Sequence, residues 1–167
     1  MMIINVCGLP GSGKSFFASR LAAKLHAKYI SSDQTRKEMN ALGQYTFTDK
    51  LQVYKAMATI ADQNLADGKS VVIDATFYHH TMRDIFMELG KQRQIAVFVI
   101  LIQASEVITK KRLSSVRPDS EADYPVYLLI KNQFEKLDRP YLELQSEDDN
   151  IDRMINRATE YLKESYE

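Results

Sequence analysis

Residues Gly8-Leu9-Pro10-Gly11-Ser12-Gly13-Lys14-Ser15 match the spacing G-x-x-x-x-G-K-S, which suits the binding of phosphate groups. Glycines at this density let the chain turn so tightly that successive backbone N–H groups point inward at phosphate oxygens. Lys14 is then placed to reach the β and γ phosphates of ATP, and the Ser15 hydroxyl to ligate Mg²⁺. A helix opening at Lys14 would aim the positive end of its dipole at the same phosphates. Gly8, Pro10, Gly11, Ser12, Gly13, Lys14 and Ser15 are therefore the expected nucleotide contacts.

Three more groups of residues could take part in chemistry. Asp74 closes the apolar run Val71-Val72-Ile73 and is expected to support Mg²⁺ directly or through a coordinated water; a helix cap or turn is its ordinary alternative. In Asp33-Gln34-Thr35-Arg36, a carboxylate could take the proton of an attacking hydroxyl, and an arginine one turn later could hold an anionic part of the acceptor. Here the alternative is that Asp33 caps the helix carrying Arg36. Lys110, Lys111, Arg112 and Arg117 form a basic patch in which the arginines could meet charge developing on a transferring phosphoryl group, while the lysines read as a solvated face beside Glu106 and Asp119. Arg112 and Arg117 lie about 500° apart on an unbroken helix, so they reach one target only if the helix ends at Ser114-Ser115. His79 and His80 are not expected to hold a metal, since neighbours on an extended chain point to opposite sides and no third ligand follows nearby. Phe47 and Tyr54 are expected in the core or a pocket wall.

The elements that must position these groups alternate along the chain. Ile3-Ile4-Asn5-Val6-Cys7 reads as a buried strand, and Phe17, Ala18, Leu21, Ala22 and Leu25 as one helical stripe. A short strand over 28–30 and a short helix from Thr35 follow. Leu51, Tyr54, Ala58, Ala61 and Leu65 predict a helix that Gly68 stops. Strands are predicted at 71–74 and 95–102, with a helix at 82–89 between them. The stretch 105–140 is expected to be all-helical, with Val126, Ile130, Phe134 and Leu137 on one face. A last strand over 141–144 and a helix carrying Ile151, Ile155, Ala158 and Leu162 complete the pattern. The fold class is α/β, a three-layer sandwich with a mostly parallel sheet of about five strands, a helical lid at about 105–140, and ligands at the carboxyl ends of the strands.

The chain has 167 residues, which fits one domain, and its 22 Lys plus Arg balance 22 Asp plus Glu. No global basic field exists to hold long nucleic acid. Cys7 is the single cysteine and excludes an internal disulfide. With no signal-peptide pattern and no membrane-length apolar run, a cytoplasmic monomer is expected. The sequence contains no N-K-x-D element of the kind a GTPase uses to read guanine, and Ala75 follows Asp74 where a chemomechanical ATPase usually carries an acid.

The combination resembles AAA_33-type small P-loop kinases, which are related to polynucleotide 5′-hydroxyl kinases and zeta-toxin-like kinases. Gly8 to Ser15 matches the family's P-loop, Asp33 and Arg36 its D-x-x-R acceptor element, and Val71 to Phe77 its strand-end signature, while residues 112–127 resemble its lid. The resemblance implies Asp33 as general base, Arg36 as an acceptor-phosphate contact, Thr76 and Arg83 as further acceptor contacts, and Arg112 or Arg117 as a transition-state clamp. An ATP- and Mg²⁺-dependent kinase acting on a hydroxyl of a small metabolite or nucleotide-like acceptor is expected. A polynucleotide 5′-hydroxyl kinase and a non-catalytic ATP-binding module are the alternatives.

Overall fold

A computed structural model describes residues 1–115 and 121–165. Five strands, β1 (Met2–Cys7), β2 (Lys28–Ser31), β3 (Val71–Asp74), β4 (Ala96–Gln103) and β5 (Leu142–Gln145), form one sheet in the order β2-β3-β1-β4-β5. Every pairing is parallel. The order reverses direction at β1, and in such sheets ligands bind in the crevice beyond the strand ends at that point.

Around the sheet lie α1 (Lys14–Lys24), α2 (Ser32–Glu38), α3 (Phe47–Ala66), α4 (His80–Arg93), α5 (Glu106–Leu113), α6 (Tyr124–Gln133) and α7 (Ile151–Glu164). Alternation along β1 divides the core. Ile3 and Cys7 face α3 and α4, packing with Met57, Phe77 and Phe86, whereas Ile4 and Val6 face α1 and α7, packing with Phe17, Leu21 and Ala158. These two apolar layers produce the three-layer sandwich. Burial pushes the Cys7 thiol up to about 12, so it is an inert packing group.

Two helices depart clearly from the sequence reading. α2 begins at Ser32 rather than Thr35, because β2 runs straight into it and the Ser31 hydroxyl accepts from Gln34 N–H at 3.4 Å. α4 extends beyond 82–89 at both ends. His79 caps its start, and Gln94 takes a left-handed conformation at its end.

The 105–140 stretch is not all-helical. Phe134 turns extended after α6, and Glu135 N–H donates to the Tyr78 carbonyl at 2.8 Å, which pulls the chain onto the exit of β3. Within α6 the buried pair is Tyr127 and Ile130, and Val126 is exposed. Asp123 caps that helix through Val126 N–H.

Candidate active site

β1 delivers the chain to Gly8 at the switch point, where the P-loop must pass close to its neighbours. A side chain at Gly8 would lie 2.7 Å from the Ile102 carbonyl and 2.7 Å from Ser12 Oγ. Gly13 is the N-cap of α1 in a left-handed conformation, φ 89°, so the turn favours glycine there on backbone grounds. Thr76 accepts from Gly8 N–H at 3.4 Å and Val6 from Ala75 N–H at 3.3 Å, tying the loop to the end of β3.

Asp74 sits at that end, opposite Val6 on one side and Ser31 on the other. It is almost fully buried. Its Oδ2 accepts from the Tyr29 hydroxyl at 2.6 Å, whereas its Oδ1 is buried without a protein partner among the described residues. The Ser15 and Ser31 side chains lie beside the same Tyr29 hydroxyl and lower its pKa slightly. Burial and the adjacent Asp74 carboxylate raise the Tyr29 pKa, which keeps it a donor. An orphaned carboxylate oxygen close to the P-loop serine fits a hard cation that takes oxygen ligands, so Ser15 and Asp74 are suitable for Mg²⁺. Ser12 Oγ, within the loop, is likewise buried without a partner among the described residues.

On the nucleotide side, an open cleft of about 400 Å³ is lined by Gly13, Lys14, Ser15, Arg112, Ser146 and Met154, among others. Arg112 comes from α5 and lies across the loop. Its Nη1 donates to the Gly11 carbonyl at 3.3 Å and to Ser146 Oγ at 3.1 Å, and its Nη2 to the Glu147 carbonyl at 3.4 Å. Burial lowers its pKa, and Asp148 at 3.9 Å opposes that shift. Lys110 and Lys111 are exposed, beside Glu106 and Asp148, as a solvated face requires. Arg117 and Asp119 lie outside the described residues.

At the exit of β2, Asp33 is in the first turn of α2, and the capping position is held by Ser31. Asp33 therefore does not cap the helix. Arg36, almost fully buried, reaches Asp33 Oδ1 at 3.5 Å and stacks its guanidinium over the Tyr45 ring at 4.9 Å. Tyr45 in turn donates to Glu121, and burial, with this bond adding to it, pushes its hydroxyl up to about 12. Thr76 Oγ1 lies 3.4 Å from the Tyr54 hydroxyl, which accepts Phe77 N–H at 2.9 Å. Phe77 has φ 54°, a strained value for a non-glycine residue, and Tyr54 with the surrounding core holds it. Tyr54 is in the core. Phe47 is exposed, edge-on to His79 at 4.8 Å.

Two expectations are revised here. Arg83 is not brought to the cleft: its Nη1 donates to the Lys136 carbonyl at 3.1 Å and its Nη2 to the Glu135 carbonyl at 3.3 Å. It lines a separate cavity of about 20 Å³ with Asn5 and Cys7. His79 and His80 do not diverge, because His79 is the cap and His80 the first helical residue, and the rings stack at 4.3 Å.

A third group also joins the histidines. Glu135 accepts from His80 N–H at 2.7 Å, and its carboxylate lies 2.8 Å from His80 Nδ1, 3.2 Å from His79 Nε2 and 3.4 Å from Arg83. His79 Nδ1 accepts from Thr81 N–H, which leaves its proton on Nε2 facing Glu135. With Arg83 supplying the positive charge, the cluster is balanced by the protein itself, and it fastens the segment after α6 to the start of α4.

Tyr29, Glu135 and Ser146 escaped the sequence reading. Each meets its partner across strands or between distant loops, and a single sequence gives no signal for such pairing. Only the position of Tyr29, two residues before a strand-ending serine, hinted that it shares an edge with Asp74.

A P-loop at the switch point of a parallel sheet, with a strand-end carboxylate beside it, defines a P-loop nucleotide-binding protein. The chain belongs to the AAA_33 family, described as an AAA domain, whose model matches residues 3–137. It is 23% identical over 162 residues to the "probable adenylyl-sulfate kinase" of Aeropyrum pernix, spanning 93% of this chain and 88% of that protein. Its fold matches the Mycobacterium tuberculosis APS kinase in complex with AMPPNP and APS, with a TM-score of 0.71 at 20% identity over 97% of each chain. A sugar kinase from a Janibacter species matches with a TM-score of 0.75 at 18% identity, over 98% of this chain and 95% of that one. Among the described residues no helix is long and apolar enough to cross a membrane.

Proposed function

We propose that this protein is an ATP-dependent kinase that transfers the γ-phosphoryl group to a hydroxyl of a small metabolite or nucleotide-like acceptor. The observation that carries this reading is the placement of Asp33 in the first turn of α2, which Ser31 caps, two residues after the strand position that pairs with Asp74. A carboxylate there has a use in a phosphotransferase and none in a protein that only senses nucleotide. Similarity to the adenylyl-sulfate kinase and sugar kinase supports the same reading. Balanced net charge favours a small acceptor over a nucleic-acid end.

In this mechanism the P-loop N–H groups and Lys14 hold the β and γ phosphates, and Ser15 and Asp74 would hold Mg²⁺. When bound, Mg²⁺ would draw negative charge off the phosphate groups. Asp33 takes the acceptor hydroxyl proton as the acceptor oxygen bonds to phosphorus. The bond from phosphorus to the β–γ bridging oxygen breaks, and ADP leaves. Arg112 holds the nucleotide edge of the loop and, with Arg117, supplies positive charge to the transferring group. Arg36 and Thr76 contact the acceptor, and Arg83 acts indirectly by anchoring Glu135. A monomeric, cytoplasmic enzyme is part of the proposal. Incubation with labelled ATP and a panel of hydroxyl compounds tests it: transfer to at least one is expected, and nucleotide binding with no transfer to any would favour the sensor.

A further inference from the structure

Asn5 stands in the middle of β1 and faces the α4 layer, as Ile3 and Cys7 do. It is 1% exposed, and neither its Oδ1 nor its Nδ2 has a partner among the described residues. Arg83, 8% exposed on α4, spends its Nη1 and Nη2 on the Lys136 and Glu135 carbonyls. Its Nε is buried with no partner among the described residues. Both side chains line the same cavity of about 20 Å³, which Cys7, Met87, Val99 and Leu137 help to wall. A buried polar atom without a hydrogen bond is costly and native folds leave few of them, so three around one cavity call for a partner inside it.

We propose that this cavity binds one internal water molecule, which accepts from Arg83 Nε–H, donates to the Asn5 amide oxygen, and so ties the strand carrying the P-loop to the segment after α6. Size selects water. A cavity of roughly 10–15 Å³ admits one molecule, and about 20 Å³ leaves no room for a larger ligand. Chemistry selects it as well, because the wall presents an acceptor beside its donors and water serves both. A halide could take the N–H groups but has no proton for Asn5 Oδ1, and Glu135 Oε2 at 3.4 Å already balances the Arg83 charge. The Cys7 thiol does not compete, since its Sγ lies 3.9 Å from the Asn5 backbone carbonyl and donates there. With the water bound, two of the three orphaned atoms are satisfied. Arg83 then joins β1 through the water and residues 135–136 through its Nη groups, whatever reaction the cleft performs.

The test follows magnetisation transfer from water to the Arg83 Nε–H proton by NMR in the wild-type chain. Cross-peaks of opposite sign in the laboratory and rotating frames are expected, the signature of a water that stays bound while the molecule tumbles. Oxygen-17 relaxation dispersion of the solvent should show one fewer long-lived water in Asn5→Leu, which is close to asparagine in size but lacks the amide. The melting temperature of Asn5→Leu should fall, because Arg83 Nε loses its partner. In a dry cavity the same change would remove two orphaned atoms and raise it. Missing water cross-peaks at Arg83, an unaltered dispersion in Asn5→Leu, or a higher melting temperature would each overturn the proposal. So would an Arg83 Nε–H shift that follows chloride concentration at constant ionic strength, which would identify an anion instead. Should Asn5→Leu fail to fold, the wild-type cross-peaks decide alone.

Discussion

The Tyr29 hydroxyl donates a 2.6 Å hydrogen bond to Asp74 Oδ2, so the side chain of one strand aims the carboxylate at the end of the next. With Oδ2 fixed, Oδ1 is the oxygen left for a cation near Ser15. Tyr29→Phe keeps the ring and removes the donor. Leaving a buried carboxylate short of a partner should cost about 1–3 kcal/mol of stability. The Mg²⁺ concentration for half-maximal AMPPNP binding should also rise severalfold. Thermal unfolding and Mg²⁺ titration check this, and an unchanged Mg²⁺ requirement would remove Tyr29 from the account.

Glu135→Gln tests the clamp between α4 and the segment after α6. Its carboxyl is held below the ordinary 4.5, first by His80 N–H, with His80 and His79 adding to it. A depressed carboxyl contributes stability that is present above its unfolded value and lost as pH falls through the folded one. The melting temperature of Glu135→Gln should therefore lie below wild type at neutral pH, with the gap closing as pH drops below 4.5. A gap that stays constant into acid would assign the effect to something other than this charge.

Gly13→Ala probes the turn that starts α1. The new methyl would sit 2.7 Å from Ser146 Oγ and 3.0 Å from Arg112 Nη1, on a backbone at φ 89°. Both strain and crowding act on the P-loop, so AMPPNP affinity should fall by at least an order of magnitude, with about 1–2 kcal/mol lost from stability. Calorimetry giving wild-type affinity would mean the loop relaxes freely.

Much of the fold was legible because local signals agreed: apolar runs for the strands, three-and-four spacing for α3 and α7, and the P-loop between strand and helix. The P-loop and Asp74 could be placed because the motif fixes its own geometry and Asp74 ends a buried run. What could not be read depended on contacts between distant segments. Glu135 pairs with residues 55 positions away, and that pairing, with the Tyr78 carbonyl, ends the helical run that periodicity extended to residue 140. The histidine pair departs from expectation for a related reason: neighbours on an extended chain diverge, whereas His80 already begins a helix.

Arg112→Ala should lower turnover more than ATP affinity, because stabilisation of transferring charge appears in the transition state. Arg112→Lys should restore little. The guanidinium spans the Gly11 and Glu147 carbonyls and Ser146 Oγ at once, a fork that an ammonium does not reproduce. Single-turnover rates beside AMPPNP dissociation constants separate the two effects, and equal losses in both would make Arg112 a ground-state nucleotide contact only.

The most direct measurement of the central claim is phosphoryl transfer by Asp33→Asn, using the best acceptor found with labelled ATP. Asparagine keeps the size of the side chain but cannot take the acceptor proton, and Ser31 still caps α2. Transfer should fall by roughly two to four decades while AMPPNP affinity stays near wild type. Wild-type turnover in Asp33→Asn would contradict the assignment of Asp33 as the base, and with it the chemistry proposed for this cleft.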